Sequence, residues 1–325
     1  MQTARRLRDR FRTAAPPSVC GRAVPQTAGV LFVRDALDVT PLVIGHHLRV
    51  GIERIHVIDD GSSDGTSEFL EEMSLRTPRV THHRVLAQDD NQLQTVSAAA
   101  NRLIEEGARL VVPFDADEFW DVTPDQLAEW VSDERPRSLT SHWVNFAQSR
   151  ENTFPRAGGM LDVRHRAEVD VAATEEEVGA FRASFLQYGP IPKAMVRAHA
   201  PVAFSRGQHD VHLVSEPGLL PQEPAGVDLL HVPLRWRSEL TKRALNYEPR
   251  RARGRRHAGE SWQSLFHLRV VEEQRDSDVW AANSADASGH LDVYGRRVAL
   301  VPDDRVRRAV DGACGVLDEL GLPRP

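Results

Sequence analysis

The chain of 325 residues is long enough for one large α/β domain, or two modest ones, around a sizeable core. With 41% hydrophobic and 27% charged residues it has a globular composition, and a net charge of −6 marks no nucleic-acid partner. No window nears the ~18 uninterrupted apolar residues of a membrane span, the N-terminus lacks the apolar core of a secretion signal, and Cys20 and Cys314 build no metal spacing or disulfide framework, so a reducing cytoplasm is expected.

Residues 1–26 read as a flexible basic tail, with Arg5, Arg6, Arg8, Arg10, Arg12 and Arg22 against Asp9. Residues 30–33 are an apolar run of strand length. Thr40-Pro41 reads as an N-cap with proline in the first turn, opening a helix that Gly51 stops. Residues 55–58 form a second strand closing on Asp59-Asp60-Gly61, and Phe69, Leu70 and Met73 fall at helical spacing. A third strand at 80–85, an alanine-rich helix at 96–107 and a fourth strand at 110–114 follow. Strands alternating with helices imply a mostly parallel α/β sheet flanked by helices. The second half is less regular. The Glu175-Glu176-Glu177 run suggests a mobile loop, 228–234 an apolar strand containing His231, and the chain beyond Ser238 is helical, ending in a helix near 304–320. A second basic run holds Arg250, Arg251, Arg253, Arg255 and Arg256.

Two acidic motifs fall at the carboxyl ends of strands, where open α/β sheets bind ligands. In Asp59-Asp60-Gly61-Ser62-Ser63-Asp64-Gly65-Thr66, carboxylates can accept hydrogen bonds from a nucleotide's N–H and O–H groups. Alternatively, Asp64 or Ser63 only caps the next helix. In Phe114-Asp115-Ala116-Asp117-Glu118-Phe119-Trp120, alternating carboxylates suit a hard cation, Mn²⁺ or Mg²⁺, held together with substrate phosphates. The alternative is a solvated acidic turn.

In this order the motifs resemble family 2 glycosyltransferases of the GT-A fold, in the branch similar to family 92. Val33-Arg34-Asp35, the helix with His46-His47 and Gly51, the 57–66 motif and Asp115-Ala116-Asp117-Glu118-Phe119 carry the resemblance over residues 29–120. It returns near 193–245, where Leu230-His231-Val232-Pro233-Leu234-Arg235 and Lys242 look like the family's His-x-x-x-Arg element. The family usually has Asn-Glu where this chain has Arg34-Asp35, which keeps a carboxylate at shorter reach. The resemblance implies a nucleotide-sugar-binding half at 27–135, an acceptor-binding and metal-completing half at 136–245 and a helical extension at 246–325. It implies that Asp59 or Asp60 contacts the base, with Asp35 and Asp64 nearby. Asp115 faces the ribose, and Asp117 and His231 hold the metal. Arg235, Arg237 and Lys242 neutralise the leaving diphosphate. The expected donor is a UDP-sugar, the acceptor a carbohydrate or small-molecule hydroxyl, and the reaction an inverting displacement.

An inverting transferase needs a base for the acceptor proton. Asp210, in Gly207-Gln208-His209-Asp210-Val211-His212, is the candidate, ahead of Glu168, Asp170 and Glu223. The alternative is an ordinary strand whose His209 and Asp210 face opposite ways. Asn101 either touches the nucleotide or packs its helix. Trp143 and Trp236 either stack on an acceptor sugar or fill the core, and His231 in an apolar strand can equally be a satisfied core histidine. A nucleotidyltransferase would show a glycine-rich loop after the first strand, and 30–35 contains none. A binding protein that keeps only the scaffold is the other alternative.

Overall fold

A computed structural model describes residues 25–85, 92–169, 172–189, 191–215, 218–252 and 262–325. Cys20, nearly all of the basic tail, Asp170, and Arg253, Arg255 and Arg256 lie outside the described residues. Strands β1 (Thr27–Val33), β2 (Arg54–Asp59), β3 (Val80–Arg84) and β4 (Leu110–Phe114) lie parallel in the order β4-β1-β2-β3. The apolar runs of β1 and β4 are buried on both faces, as inner parallel strands between helices must be, whereas the edge strand β3 is largely exposed. The register pairs Val33 with Asp59 and Leu31 with Phe114. The residues that follow each strand, Arg34, Asp60 and Asp115, therefore leave the sheet at one edge.

Helices α1 (Thr40–Arg49), α2 (Thr66–Arg76) and α3 (Gln92–Glu105) connect these strands. Val39, not Thr40, occupies the N-cap of α1, and the Thr40 hydroxyl instead donates to the Ala36 carbonyl at 2.7 Å. Proline at the second helical position still suits the helix start. Packed on the opposite face of the sheet from α1, α3 buries Val96, Ala100 and Leu103 in a cluster with Val196, Val202 and Phe204.

The second half turns the sheet mixed. Short β5 (Glu118–Trp120) precedes α4 (Pro124–Ser132) and the long β6 (Arg137–Ser149), which is followed by β7 (His165–Arg166). The acidic segment expected to be mobile is helix α5 (Glu175–Gly179). Thr174 explains it: its hydroxyl accepts the Glu177 N–H while the Glu177 carboxylate accepts the Thr174 N–H, a reciprocal cap that offsets three adjacent charges. Strand β8 (Pro192–Arg197) runs antiparallel to both β4 and β6 and joins the two halves. Beyond the hairpin of β9 (Val202–Phe204) and β10 (Val211–Leu213), β11 (Gln222–Pro224) and β12 (Leu229–His231) run parallel to β6. The strand expected over 228–234 is confined to β12; the Val232 N–H still donates to the Asp117 carbonyl at 2.9 Å, but Pro233 has no N–H with which to extend the ladder.

Helices α6 (Arg237–Ala252), α7 (Trp262–Glu272) and α8 (Asp276–Asn283) match the helical pattern expected after Ser238. The remainder is not purely helical. β13 (Ser284–Ala285) adds to β6, and β14 (His290–Val293) pairs with β15 (Arg296–Ala299). That hairpin turns through Tyr294 and Gly295, with φ of 51° and 86°, the doubly positive pattern of a two-residue hairpin turn. β16 (Val301–Pro302) pairs with β7. The last helix, α9 (Arg305–Glu319), packs on α1, where a Cβ at Gly45 would lie 2.9 Å from the Ala313 carbonyl oxygen. Helix α1 is therefore covered by sheet and helix alike, which is why His46 and His47 are buried. The result is a mixed, mostly parallel sheet with flanking helices. Among the described residues no helix is long and apolar enough to cross a membrane.

Candidate functional site

A cleft opens at the carboxyl ends of β1 and β4, against the start of α6. Arg34, Asp35, Asp38, Asp117, Arg235, Trp236, Lys242 and Arg243 are among its lining residues. Asp117 is held at the end of β4 by the pairing of β5 with β12, which sets His231 opposite Glu118. Parallel pairing with β6 also sets His231 opposite Asn145.

The His231 ring is fixed on three sides. Its Nδ1 lies 2.8 Å from Asn145 Oδ1, its face stacks on Trp143 at 4.0 Å and 22°, and its Nε2 lies 3.9 Å from Asp117 Oδ1. The amide oxygen only accepts, so Nδ1 carries the proton and Nε2 keeps its lone pair toward Asp117. Burial, reinforced by Arg243, pushes the imidazole pKa down to about 3, so the ring is neutral at neutral pH. Neutral imidazole nitrogen and carboxylate oxygen are the donor types that Mn²⁺ accepts. A gap of 3.9 Å between them admits an ion about 2.1 Å from each. Among the described residues no group of three or more His, Cys, Asp or Glu side chains is placed to hold a metal ion. A two-ligand site completed by substrate phosphates and water does not need one.

The other Asp117 oxygen faces cations. Oδ2 is 3.4 Å from Arg243 Nη2 and 3.8 Å from Arg235 Nη1. Arg235 is buried and clamped, with Nε 2.8 Å from Asp38 Oδ2 and Nη2 2.8 Å from Glu239 Oε1. Burial opposes its charge, but Asp38, Glu239 and Asp117 outweigh that and hold it protonated.

Beneath the cleft runs a buried ionic chain. Lys193 is fully buried, with Nζ 2.6 Å from Asp115 Oδ2 and 2.9 Å from Glu118 Oε2. Glu118, also fully buried, accepts the Trp143 indole N–H at 2.7 Å and the Asp115 amide at 2.9 Å. Burial pushes its carboxyl up to about 7 against the pull of Lys193. Asp115 is thus tethered from below, with its side chain one-third exposed.

At the other end of the cleft the carboxylates build the loop. Asp59 is fully buried and accepts the Ser62 N–H at 2.9 Å and the Ser67 hydroxyl. Both its oxygens are engaged inside the protein, which corrects its expected contact with a base. Asp60 instead lies beside Arg34, with Nη1 at 3.6 Å. Asp35, held at φ 48°, accepts the Ser63 N–H at 2.7 Å, and its carbonyl accepts Lys242 Nζ at 2.5 Å. Asp64 accepts the Thr66 N–H at 3.1 Å just ahead of α2, whose N-cap is Gly65 without a side-chain cap, and also lies 3.2 Å from Lys242.

Several expected residues are directed elsewhere. Asn101 binds both backbone groups of Val202, at 2.9 and 2.7 Å, and fastens α3 to β9. Arg237 turns to Asp276, at 2.8 and 2.6 Å, and to Ser277, because residue 237 lies on the face of α6 that meets α8. Asp210 accepts from Gln222 Nε2 at 2.8 Å, and its own N–H donates to Ser205 Oγ at 2.8 Å, beside the β9–β10 hairpin and outside the cleft lining. Glu223 pairs with Arg137. Trp143 stacks one face on His231 and gives its indole N–H to Glu118. Asp38, Asn145, Lys193, Glu239 and Arg243 escaped the sequence reading, and Glu118 entered it only as part of the acidic motif. Glu239 and Arg243 stand four apart on one helix face, and Lys193 is a charge next to the apolar run Ala194-Met195-Val196, so both left a signal.

No family model matches the chain, and no curated protein matches it. Among solved structures it is similar to the mannosyltransferase PcManGT from Pyrobaculum calidifontis in complex with GDP-Man and Mn²⁺, at 11% identity and TM-score 0.38, covering 98% of this chain and 81% of that one. It is also similar to GalNAc-T7 with UDP, GalNAc and Mn²⁺, at 16% identity and TM-score 0.39, covering 79% and 51%. A third is the S. aureus TarS 1–349 fragment, at 10% identity and TM-score 0.30, covering 53% of this chain. The chain spans 47% of that TarS fragment, less than half its length. Likeness of this degree carries nothing about substrate or chemistry.

Proposed function

We propose that this chain is a glycosyltransferase that moves a sugar from a nucleoside-diphosphate sugar to an acceptor hydroxyl, assisted by a divalent cation, with inversion at the anomeric carbon. The observation that carries the reading is the facing of His231 Nε2 and Asp117 Oδ1, 3.9 Å apart, on a cleft that also presents Arg34, Lys242 and Arg243. A nucleoside diphosphate gains negative charge as the glycosidic bond breaks, and a cation held by Asp117 and His231 would neutralise it there. Lys242 and Arg243 add fixed positive charge along the same wall. Asp115, held by Lys193, would accept from a ribose hydroxyl. Asp60 and Arg34, at the ends of β2 and β1, offer an acceptor and a donor set to a base. The UDP-sugar expected from the sequence remains the first donor to try.

The test is calorimetry with UDP, with and without Mn²⁺, on the wild type and Asp117→Ala, followed by GDP and TDP. Metal-dependent binding that the substitution abolishes is expected. Absence of binding by all three nucleotides with Mn²⁺ present would overturn the reading. Proton NMR of product made from an α-linked donor should show a β linkage, and an α linkage refutes inversion.

A further inference from the structure

Three positive side chains reach the part of the cleft where a diphosphate would lie, and they are not held alike. Arg235 is 6% exposed and lies between Asp38 and Glu239, so moving it would strand two buried carboxylates. Lys242 is tied to the Asp35 carbonyl and to Asp64. Arg243 is 31% exposed and gripped by Glu239 Oε1, at 2.6 Å from Nη2 and 3.0 Å from Nε. Its contact with Asp117 is longer, at 3.4 Å. Glu239 precedes it by one helical turn, so the guanidinium can pivot about that carboxylate and exchange its outer partner.

Its present outer partner is the carboxylate that would hold the cation. A guanidinium on Asp117 Oδ2 and a divalent ion on the same carboxylate are like charges within a few ångströms, and each weakens the other. A diphosphate in the cleft changes the balance, because phosphate oxygens are strong partners for an arginine fork. We infer that Arg243 serves two partners in turn: the Asp117 carboxylate while the cleft is empty, and the donor's diphosphate once the donor and its cation enter. The inference rests on the donor-site reading above. It makes Arg243 a source of positive coupling between metal and nucleotide, since the nucleotide draws the arginine off the metal's ligand.

The consequence has opposite signs for the two ligands, which a merely structural role would not produce. The experiment compares the wild type with Arg243→Gln and Arg243→Lys. Affinity for Mn²⁺ alone is read by electron paramagnetic resonance of the free ion, and affinity for UDP at saturating Mn²⁺ by calorimetry, with GDP and TDP as alternates. Arg243→Gln should bind Mn²⁺ alone several-fold more tightly and the nucleotide about tenfold more weakly, while Arg243→Lys stays nearer the wild type in both. The thermal midpoint of each variant guards against simple misfolding. If both affinities fall together, or neither moves, the double role is overturned. The underlying reading fails differently: in that case the wild type itself binds no nucleoside diphosphate with Mn²⁺ present.

Discussion

Lys193→Met removes a fully buried ammonium that lies 2.6 Å from Asp115 and 2.9 Å from Glu118. Methionine fills nearly the same volume, so the loss is electrostatic rather than a cavity. Glu118 has no exposed surface and keeps only neutral donors, the Trp143 indole and the Asp115 amide. Breaking a buried pair from one side costs about 3–5 kcal/mol. At this chain size that lowers the melting midpoint by on the order of 5–15 °C. Without Lys193 the buried Glu118 carboxyl must take up a proton at neutral pH, and Glu118→Gln on top of Lys193→Met removes that step yet still accepts the indole N–H, so the double variant should recover part of the loss. The assay is urea unfolding of the wild type, both single variants and the double, read as a cycle. A Lys193→Met cost below about 1 kcal/mol, or a double variant less stable than Lys193→Met alone, would refute the view that Lys193 is the counter-ion holding this site together.

Stability should fall as the solution is acidified from pH 7 to pH 5. His46 donates Nε2–H to the Trp120 carbonyl at 2.8 Å, and its Nδ1 is buried without a partner among the described residues. Burial holds its pKa down to about 4, so between pH 6.5 and 4 the unfolded chain takes a proton that the folded chain refuses. Folded-state stability is full above pH 6.5, and this residue alone loses about 2 kcal/mol by pH 5. Chemical denaturation at the two pH values checks it, and a flat profile contradicts it. Asn145→Ala should weaken Mn²⁺ binding at least tenfold by freeing the His231 ring, while Asn145→Asp, which still accepts from Nδ1, retains it. Arg237→Ala should leave UDP affinity within about twofold while Lys242→Ala lowers it several-fold, because only Lys242 lines the cleft. Equal losses in calorimetry would return Arg237 to the site.

Local pattern determined a good deal here. The strand-length apolar runs at 30–33, 55–58 and 110–114, each closing on polar or acidic residues, were enough to place Arg34, Asp60 and Asp115 at strand ends and the sheet as mostly parallel. Proline and spacing located α1, and helical periodicity located α9. These features depend on neighbours a few residues apart, so they are written in the chain itself. Loop carboxylates were harder. Asp59 and Asp60 are adjacent and identical in type, yet Asp59 is fully buried and engaged by Ser62 and Ser67, while Asp60 lies beside Arg34. Which way each points depends on a backbone turn, not on composition. Which ionic groups of the cleft meet was beyond the sequence. Asp38 meets Arg235 across 197 positions, Asp115 meets Lys193 across 78, and Asp117 meets Arg243 across 126. Only the pairing of β8 with β4 and of β12 with β5 brings those groups together. The physical reason is that charge pairing acts over a few ångströms of space and is indifferent to distance along the chain.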